Sequence, residues 1–573
     1  MLIYKTFHKK IITLQGTIKA KTKIKYCPKH DEPIILTPNI FSQLLAKGRN
    51  YGIDIIIAIG FLRWGLCLQR EQIQLYFKRK DINISTGTIS NLSFDFLLLL
   101  KQIHEKHYDK LQEKFSKNGG MIIHIDATDE NGGNAVFQII EEKTGITLFA
   151  ESMVTEKEEY IIPIFQRFKA IFGDPVAIVR DMGAAMISSC NKEFPNIPQQ
   201  ICHYHFIRAL GNNIFDDIYS EFRSTLLKSK IIKNLHYIRK EIKQKIIKSS
   251  IILNERHAFY WLHLLIDHML YPVKHIKDYP FQLAHKEFYD RIAVICNNFF
   301  QNNLQNCGSV IKIYQLSSLT KHILDFIKNK KIQELSSTID QLWEWYIKIR
   351  EIMGLIRNEL NESNILNQEK IEEMKEELTQ LIDIIQNEGK ELGGLFLQKS
   401  DLIANYFQDK WDGLFIDLKD EKGNYIPIHR NNNIDEQAHR WIRMRIRRRT
   451  GKYRTQMEMY QMGALLALFS NFYNEEYRDI ICNGIENLVM EFSTLDWNCL
   501  SIERRKLYIR NDGLCIPIKD DIREELLYEF IEYNLELSTM KDNFLDKWLN
   551  KIEGYIESWN IDFVDVDSHL GLL

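Results

Sequence analysis

The sequence has no long hydrophobic run, no paired cysteine motif and almost no net charge. Each absence removes a class of protein. In the N-terminal part the longest apolar stretch is Ile55–Leu62, far short of the ~20 residues a membrane-spanning helix needs. The opening MLIYKTFHKK has no apolar core of the signal-peptide kind, so export is not expected. Nine cysteines stand without paired spacing, which fits reduced thiols in a cytosolic compartment. A net charge of −1 gives no overall attraction to a polyanion.

What is present is an ordinary globular composition, 45% hydrophobic and 26% charged, with its charge unevenly placed. A chain of 573 residues exceeds what one core serves, so roughly two to four domains are expected. Residues 1–120 hold 20 Lys/Arg against 9 Asp/Glu, a net of +11, and the other 453 therefore sum to −12. Residues 455–573 hold 10 Lys/Arg against 23 Asp/Glu, while Arg430–Arg454 holds nine Lys/Arg and two acids. A near-neutral chain built this way still presents basic faces to a polyanion; the alternative is solvated charge with no partner.

Residues 9–26 alternate apolar and polar side chains and read as a short β-hairpin. Cys27 and His30 have the spacing of half a zinc knuckle, but no second pair follows, so a lone pair without metal is expected. Residues 52–112 read as helices: an apolar one over Ile55–Gln69, an amphipathic one over Arg70–Arg79, and a third capped by Ser85. A short helix, a turn and a polar-fronted helix is the helix-turn-helix pattern, which would bring Thr86, Thr88, Ser90 and Asn91 near a major groove. Any three-helix packing module gives the same periodicity. The basic N-terminal region is expected to end near residue 118, at Asn118-Gly119-Gly120.

The most informative stretch is Met121–His205. Met121–Ile125 is apolar apart from His124 and reads as a central strand ending at Asp126. Val136–Ile140 and Ile146–Met153 read as a hairpin, Glu156–Phe172 as a helix closed by Gly173, and Val176–Val179 as a second buried strand ending at Asp181. This order is that of a ribonuclease-H-like α/β core, in which the first and fourth strands are neighbours. Asp126 and Asp181 would then lie side by side. Paired carboxylates repel unless a cation lies between them. Two divalent ions about 3.5–4 Å apart suit phosphodiester cleavage, and Mg²⁺ takes such oxygen ligands. Each aspartate alone reads equally well as a strand-end residue; their joint position favours a site. Cys202 and His205 form a C-x-x-H pair that spacing alone assigns to packing.

Residues 216–400 show helical periodicity, with no chemical motif, and read as an insertion. In His429–Gln456, Glu436 opens a helix behind Asn431, Asn432 and Asn433. Arg440, Arg443 and Arg447 share one face of it, with Arg445, Arg448 and Arg449 adding to the basic ridge. A carboxylate here can complete a metal site while the arginines meet phosphates; the alternative is a solvated basic helix. Residues 401–470 would complete the core, and 471–573 form an acidic, mostly helical C-terminal region.

Taken together, HIDATD, VRDMGAAM, CHYH and NNNIDE resemble DDE transposases of the Mutator-like kind and their prokaryotic insertion-sequence relatives, over roughly residues 120–470. The resemblance implies a ribonuclease-H-like fold interrupted by a helical insertion before the last acid. It implies Asp126, Asp181 and Glu436 as a metal-binding triad, with Asp129 and Asp435 as neighbouring alternatives. Cys202 and His205 match the family's C-x-x-H pair, and Asn432, Asn433 and Glu436 its N-N-x-x-E element. The implied activity is metal-dependent cleavage of transposon ends and strand transfer, with Mg²⁺ or Mn²⁺ as two ions and zinc left open. The implied partners are double-stranded DNA, contacted by Asn432, Asn433 and the six arginines, and a second copy of the chain, since two ends must be paired. No membrane association is expected; the protein would be cytoplasmic and nucleoid-associated in a prokaryote, nuclear in a eukaryote. A complete zinc-binding DNA module at the N-terminus is missing. Two other readings stay open: a domesticated DNA-binding protein without catalysis, and a ribonuclease-H-like nuclease that cuts without joining.

Overall fold

A computed structural model describes residues 2–27, 34–36, 44–45, 49–117, 119–129, 135–247, 253–275, 279–295, 316–355, 367–420, 422–452, 455–497 and 500. It is a mixed α/β protein with a five-stranded mixed sheet and many helices. Two compact units share the chain: one formed by the segments before Gln200 and after Asn431, the other by Gln200–Asn431. Among the described residues no helix is long and apolar enough to cross a membrane.

The first unit opens with an antiparallel ribbon of β1 (Leu2–Thr13) and β2 (Gly16–Cys27), with β3 (Ile34–Leu36) added beside β2. The hairpin expected at 9–26 is real and longer, with β1 beginning at Leu2. Cys27 closes β2, and His30 lies outside the described residues. Helices α1 (Ile53–Gly60), α2 (Arg70–Arg79), α3 (Thr86–Lys106) and α4 (Tyr108–Lys117) follow. The apolar helix expected to reach Gln69 stops earlier: α1 passes into one π-turn over Phe61–Gly65, and Cys67 adopts φ 59°. Ser85 caps α3 as expected, its Oγ accepting from Thr88 N–H at 3.1 Å. Phe96–Leu100 of α3 are buried; Ser90 and Asn91 in its first turns are exposed, as are Glu105 and Lys106 in its last. Gly60 allows this packing, because a Cβ there would lie 2.1 Å from Phe96 Cγ.

The sheet comprises β4 (Ile122–Asp129), β5 (Ala135–Glu141), β6 (Thr147–Met153), β7 (Ala177–Arg180) and β8 (Gln199–Ile201), in the order β6-β5-β4-β7-β8. β5 is antiparallel to both β4 and β6, and β7 is parallel to β4. Between β6 and β7 runs α5 (Glu158–Phe172), ended by Gly173 at φ 82°, where a left-handed residue is needed. After β7 comes α6 (Ala184–Glu193).

The second unit is helical: α7 (His203–Lys228), α8 (Ile231–Ile247), α9 (Leu253–Lys274), α10 (Ala284–Ile295), α11 (Leu316–Ile327), α12 (Lys330–Ile352), α13 (Gln368–Leu392) and α14 (Gly394–Leu414). Its limits are wider than the insertion expected at 216–400. No break falls near 215 because α7 runs without interruption from His203. Residues 415–431 join it because buried Arg430 donates to Gln200 Oε1 at 2.5 Å and to the Leu414 carbonyl at 3.1 Å.

The first unit resumes with α15 (Asn433–Thr450), α16 (Gln456–Ser470), α17 (Glu475–Cys482) and α18 (Leu488–Ser493). Helix α16 covers β5 and β6. Gly463 makes the approach possible, since a Cβ there would meet Val136 Cγ2 at 2.4 Å. Asn471 then closes the outer edge of β6: its amide accepts from Thr147 N–H and donates to Thr147 O, both at 2.8 Å. The helices expected beyond residue 500 lie outside the described residues.

Fully buried His104 ties α3 to this packing, with Nε2 2.9 Å from the Leu148 carbonyl and Nδ1 2.9 Å from Tyr477 Oη. Burial pushes its pKa down to about 4. The unfolded chain therefore takes up a proton near pH 6.5 that the folded chain refuses until about pH 4, and stability is lost as pH falls through that window. His104→Gln is expected to flatten the fall in urea midpoint between neutral pH and pH about 5. An unchanged fall would show that His104 is not the sensing group.

Candidate active site

The registers place the two aspartates together. Ile125 on β4 pairs with Arg180 on β7, so Asp126 and Asp181 are the next residues along adjacent parallel strands. Asp181 lies just past the end of β7, but the strand expected to end at Asp126 runs on to Asp129, because β5 continues to pair with it. Neighbouring strands lie about 4.8 Å apart. Asp126 is 8% exposed and Asp181 is half-buried. Asp181 is held in a tight turn before α6, its Oδ1 accepting from Gly183 N–H at 3.0 Å. Buried Arg180 steadies the same turn, donating to the Asp181 carbonyl at 2.9 Å and to Gln199 Oε1 at 2.7 Å.

Helix α15 runs alongside β4 in the same direction. At its start, Asn432 Nδ2 donates to the Ile125 carbonyl at 3.2 Å. Two turns on, His439 Nε2 stands 3.5 Å from Asp126 Oδ2. One turn further, Arg443 donates to Thr128 Oγ1. Glu436 is exposed and lies three residues before His439, about 4.5 Å along the axis. The helix therefore carries Glu436 past the stretch of β4 around Ile125 and Asp126. Asp435, the neighbouring alternative, has no exposure. The side-chain roles expected of Asp129 and Asn433 lie outside the described residues.

Three of the residues expected to contact DNA have partners within the protein. Asn432 is 1% exposed, and its Oδ1 lies 2.9 Å from His124 Nδ1, whose Nε2 is 3.1 Å from Glu142. It straps α15 to β4, because a buried His and a strand-end carbonyl need polar partners more than a phosphate does. Arg445 donates to the Trp64 carbonyl at 2.7 Å and lies 4.2 Å from the Trp441 ring centre. Arg449 stacks 4.7 Å from the Trp64 ring. Both are used to hold α15 on the π-turn after α1. Arg440, Arg447 and Arg448 are exposed.

Sequence reasoning missed His439 and Gln138. Gln138 pairs with Asp126 across the β4–β5 ladder, and its Nε2 lies 2.6 Å from His439 Nδ1. With the amide donating, the ring proton sits on Nε2 and faces Asp126. The available signal was Glu436-Gln437-Ala438-His439, a Glu-x-x-His spacing that puts both side chains on one helical face.

Within the helical unit, Cys202 is buried and precedes α7, and His205 is half-buried in its first turn. Between them His203 donates its N–H to the Arg430 carbonyl at 2.8 Å, with Nε2 2.9 Å from the Leu414 carbonyl. Among the described residues, Cys202 and His205 belong to no cluster of three or more metal-type ligands.

The chain matches no protein-family model and no curated protein.

Proposed function

We propose that this chain is a DNA transposase with a ribonuclease-H-like core, in which Asp126, Asp181 and Glu436 form a metal-binding triad for cutting transposon ends and joining them to target DNA. The observation that carries the reading is the Ile125–Arg180 register, which sets two carboxylates side by side on adjacent parallel strands beside a helix bearing a third. The strand order β6-β5-β4-β7-β8, third-second-first-fourth-fifth in sequence, supports it. So does the interruption of the core by a helical unit before Glu436.

The donor set fits Mg²⁺ or Mn²⁺, since carboxylate oxygens are the ligands hard cations take. When bound, such ions supply activation of a water or 3′-hydroxyl and stabilisation of the leaving oxygen. The protein's own part is positioning. Gly183 N–H and Arg180 fix the Asp181 turn; Gln138 orients His439, whose Nε2 stands 3.5 Å from the Asp126 carboxylate. Exposed Arg440, Arg447 and Arg448 meet the phosphates flanking the scissile bond. Glu436 is favoured over Asp435 as the third ligand because it is exposed, whereas Asp435 is sealed from a substrate.

The test is cleavage and joining of labelled duplexes carrying the ends that flank the gene, with Mg²⁺ or Mn²⁺. Metal-dependent cutting and joining supports the reading. Cutting without joining leaves a nuclease, and tight binding without cutting leaves a DNA-binding protein. Glu436→Gln is expected to lose both activities, while Asp435→Asn lowers stability and leaves the Mg²⁺ dependence of the remaining activity in place. The reverse pattern would move the third ligand to Asp435.

A further inference from the structure

Residues 1–30 contain eight lysines and no Asp or Glu. The structure sorts much of that charge onto one side of the β1–β2 ribbon. Side chains alternate across a strand, so residues paired at every second position share a face. The pairs Thr6↔Lys23, His8↔Lys21 and Lys10↔Lys19 form one face. His8, Lys10, Lys19, Lys21 and Lys23 are all exposed on it. The pairs Ile11↔Ile18, Lys9↔Ala20 and Lys5↔Ile24 form the opposite face, so Lys5 and half-buried Lys9 lie there. There Ile11, Ala20 and Leu45 make a small apolar core, at 0%, 6% and 4% exposure.

The turn end of the ribbon is fixed to the first unit. Ile12 N–H donates to the Asn50 carbonyl and Gly52 N–H to the Ile12 carbonyl, both at 2.8 Å, and Leu14 N–H donates to Asp54 Oδ2 at 2.7 Å. The lysine face is thus carried on a supported strand pair.

Like charges directly opposed across a ladder destabilise it. Lys10 faces Lys19 directly, and Lys21 and Lys23 lie on the same face, with no acid anywhere in the ribbon to offset them. Edge protection explains lysines along the rim of a sheet; it does not explain why four of the eight, Lys10, Lys19, Lys21 and Lys23, stand exposed together on one face with no acid among them. An external polyanion does. A two-stranded ribbon also has the width that a major groove about 12 Å across admits.

We infer that the face formed by His8, Lys10, Lys19, Lys21 and Lys23 is a docking surface for the phosphate backbone of duplex DNA. This deepens the transposase reading, and rests on it for the choice of DNA as the polyanion. The ribbon, rather than the N-terminal turns of α3, adds to the salt-dependent part of DNA binding that Arg440, Arg447 and Arg448 supply. The surface meets phosphates, so it is insensitive to sequence.

The test is fluorescence anisotropy of full-length protein with a labelled random-sequence duplex, in chelator, across a series of salt concentrations. The combined variant Lys10→Gln, Lys19→Gln, Lys21→Gln, Lys23→Gln is compared with wild type and with Lys228→Gln, Lys330→Gln, which removes exposed lysines of the helical unit. The slope of log K against log salt is expected to become shallower by about 3 to 4, near 0.9 for each phosphate no longer neutralised. Affinity at low salt falls at least about tenfold, and the control variant keeps the wild-type slope. Circular dichroism melts verify folding, and Lys10→Gln, Lys19→Gln alone is expected to give about half the change in slope. An unchanged slope in a folded variant overturns the inference. So does lysine-dependent binding to vesicles of anionic phospholipid without binding to DNA. Because binding is measured without metal, the two ideas fail separately. Cutting by wild type with an unchanged slope in the lysine variant sinks the ribbon alone. Lysine-dependent binding with no cutting by wild type in Mg²⁺ sinks the transposase reading alone.

Discussion

Asp181→Ala and Asp126→Asn are each expected to slow DNA cutting and joining by at least about 10³-fold in Mg²⁺, equivalent to about 4 kcal/mol of lost transition-state stabilisation. The physical reason is the adjacency set by the Ile125–Arg180 pairing. Under the transposase proposal, two carboxylates on adjacent strands would act as one ligand set, so losing either would remove most of what both provide. The double variant should therefore be little worse than the worse single one. Folding is expected to survive. Asp181 is half-buried and its carboxylate organises only a local turn through Gly183. Asp126 is nearly buried, and asparagine keeps the shape and an oxygen toward His439. Single-turnover cleavage with both substitutions, alongside thermal melts, checks this. Variants that stay folded and cut at more than about a tenth of the wild-type rate would remove the aspartates from the chemistry.

Asn432→Ala is expected to cost about 3 kcal/mol of stability, and more than about tenfold in cutting. The side chain is 1% exposed and serves two buried groups, His124 Nδ1 at 2.9 Å and the Ile125 carbonyl at 3.2 Å. Alanine takes this polar partner from both in a site too tight for free exchange with water, and each such loss costs about 1–3 kcal/mol. The same side chain fixes the start of α15, one turn before Glu436, so its removal also loosens the acid's placement. Urea denaturation gives the first number and single-turnover kinetics the second. A variant within about 0.5 kcal/mol of wild type with normal cutting would show that the strap has no structural role.

Much of the first unit was legible because its signals are local. Ser85 precedes a helix whose free N–H groups need an acceptor, and Gly173 ends one where a left-handed residue is required. The ribbon, the strands around Asp126 and Asp181, and the small residues opening α6 follow from alternation, burial and turn chemistry over a few residues. Other expectations depended on which side of an element meets which neighbour. The spacing of Arg440, Arg443 and Arg447 shows that they share a face; it does not show that Arg443 reaches Thr128 or that Arg445 reaches Trp64. Asn432 looked like a DNA contact because a polar residue beside a basic ridge usually faces water.

By itself the sequence determined the mixed α/β class, the order of strands and helices, an aspartate on each of two of the strands or just past it, and a basic helix carrying a third acid. These depend on periods of two and of three to four residues, which the chain states directly. Only the tertiary structure decided that Ile125 pairs with Arg180, that Asn432 and Arg445 turn inward, that His439 meets Asp126, and that the N-terminal lysines gather on one face of a ribbon. Those facts depend on contacts between residues up to hundreds of positions apart. No local period encodes such contacts; they are selected by burying apolar surface while giving every buried polar group a partner.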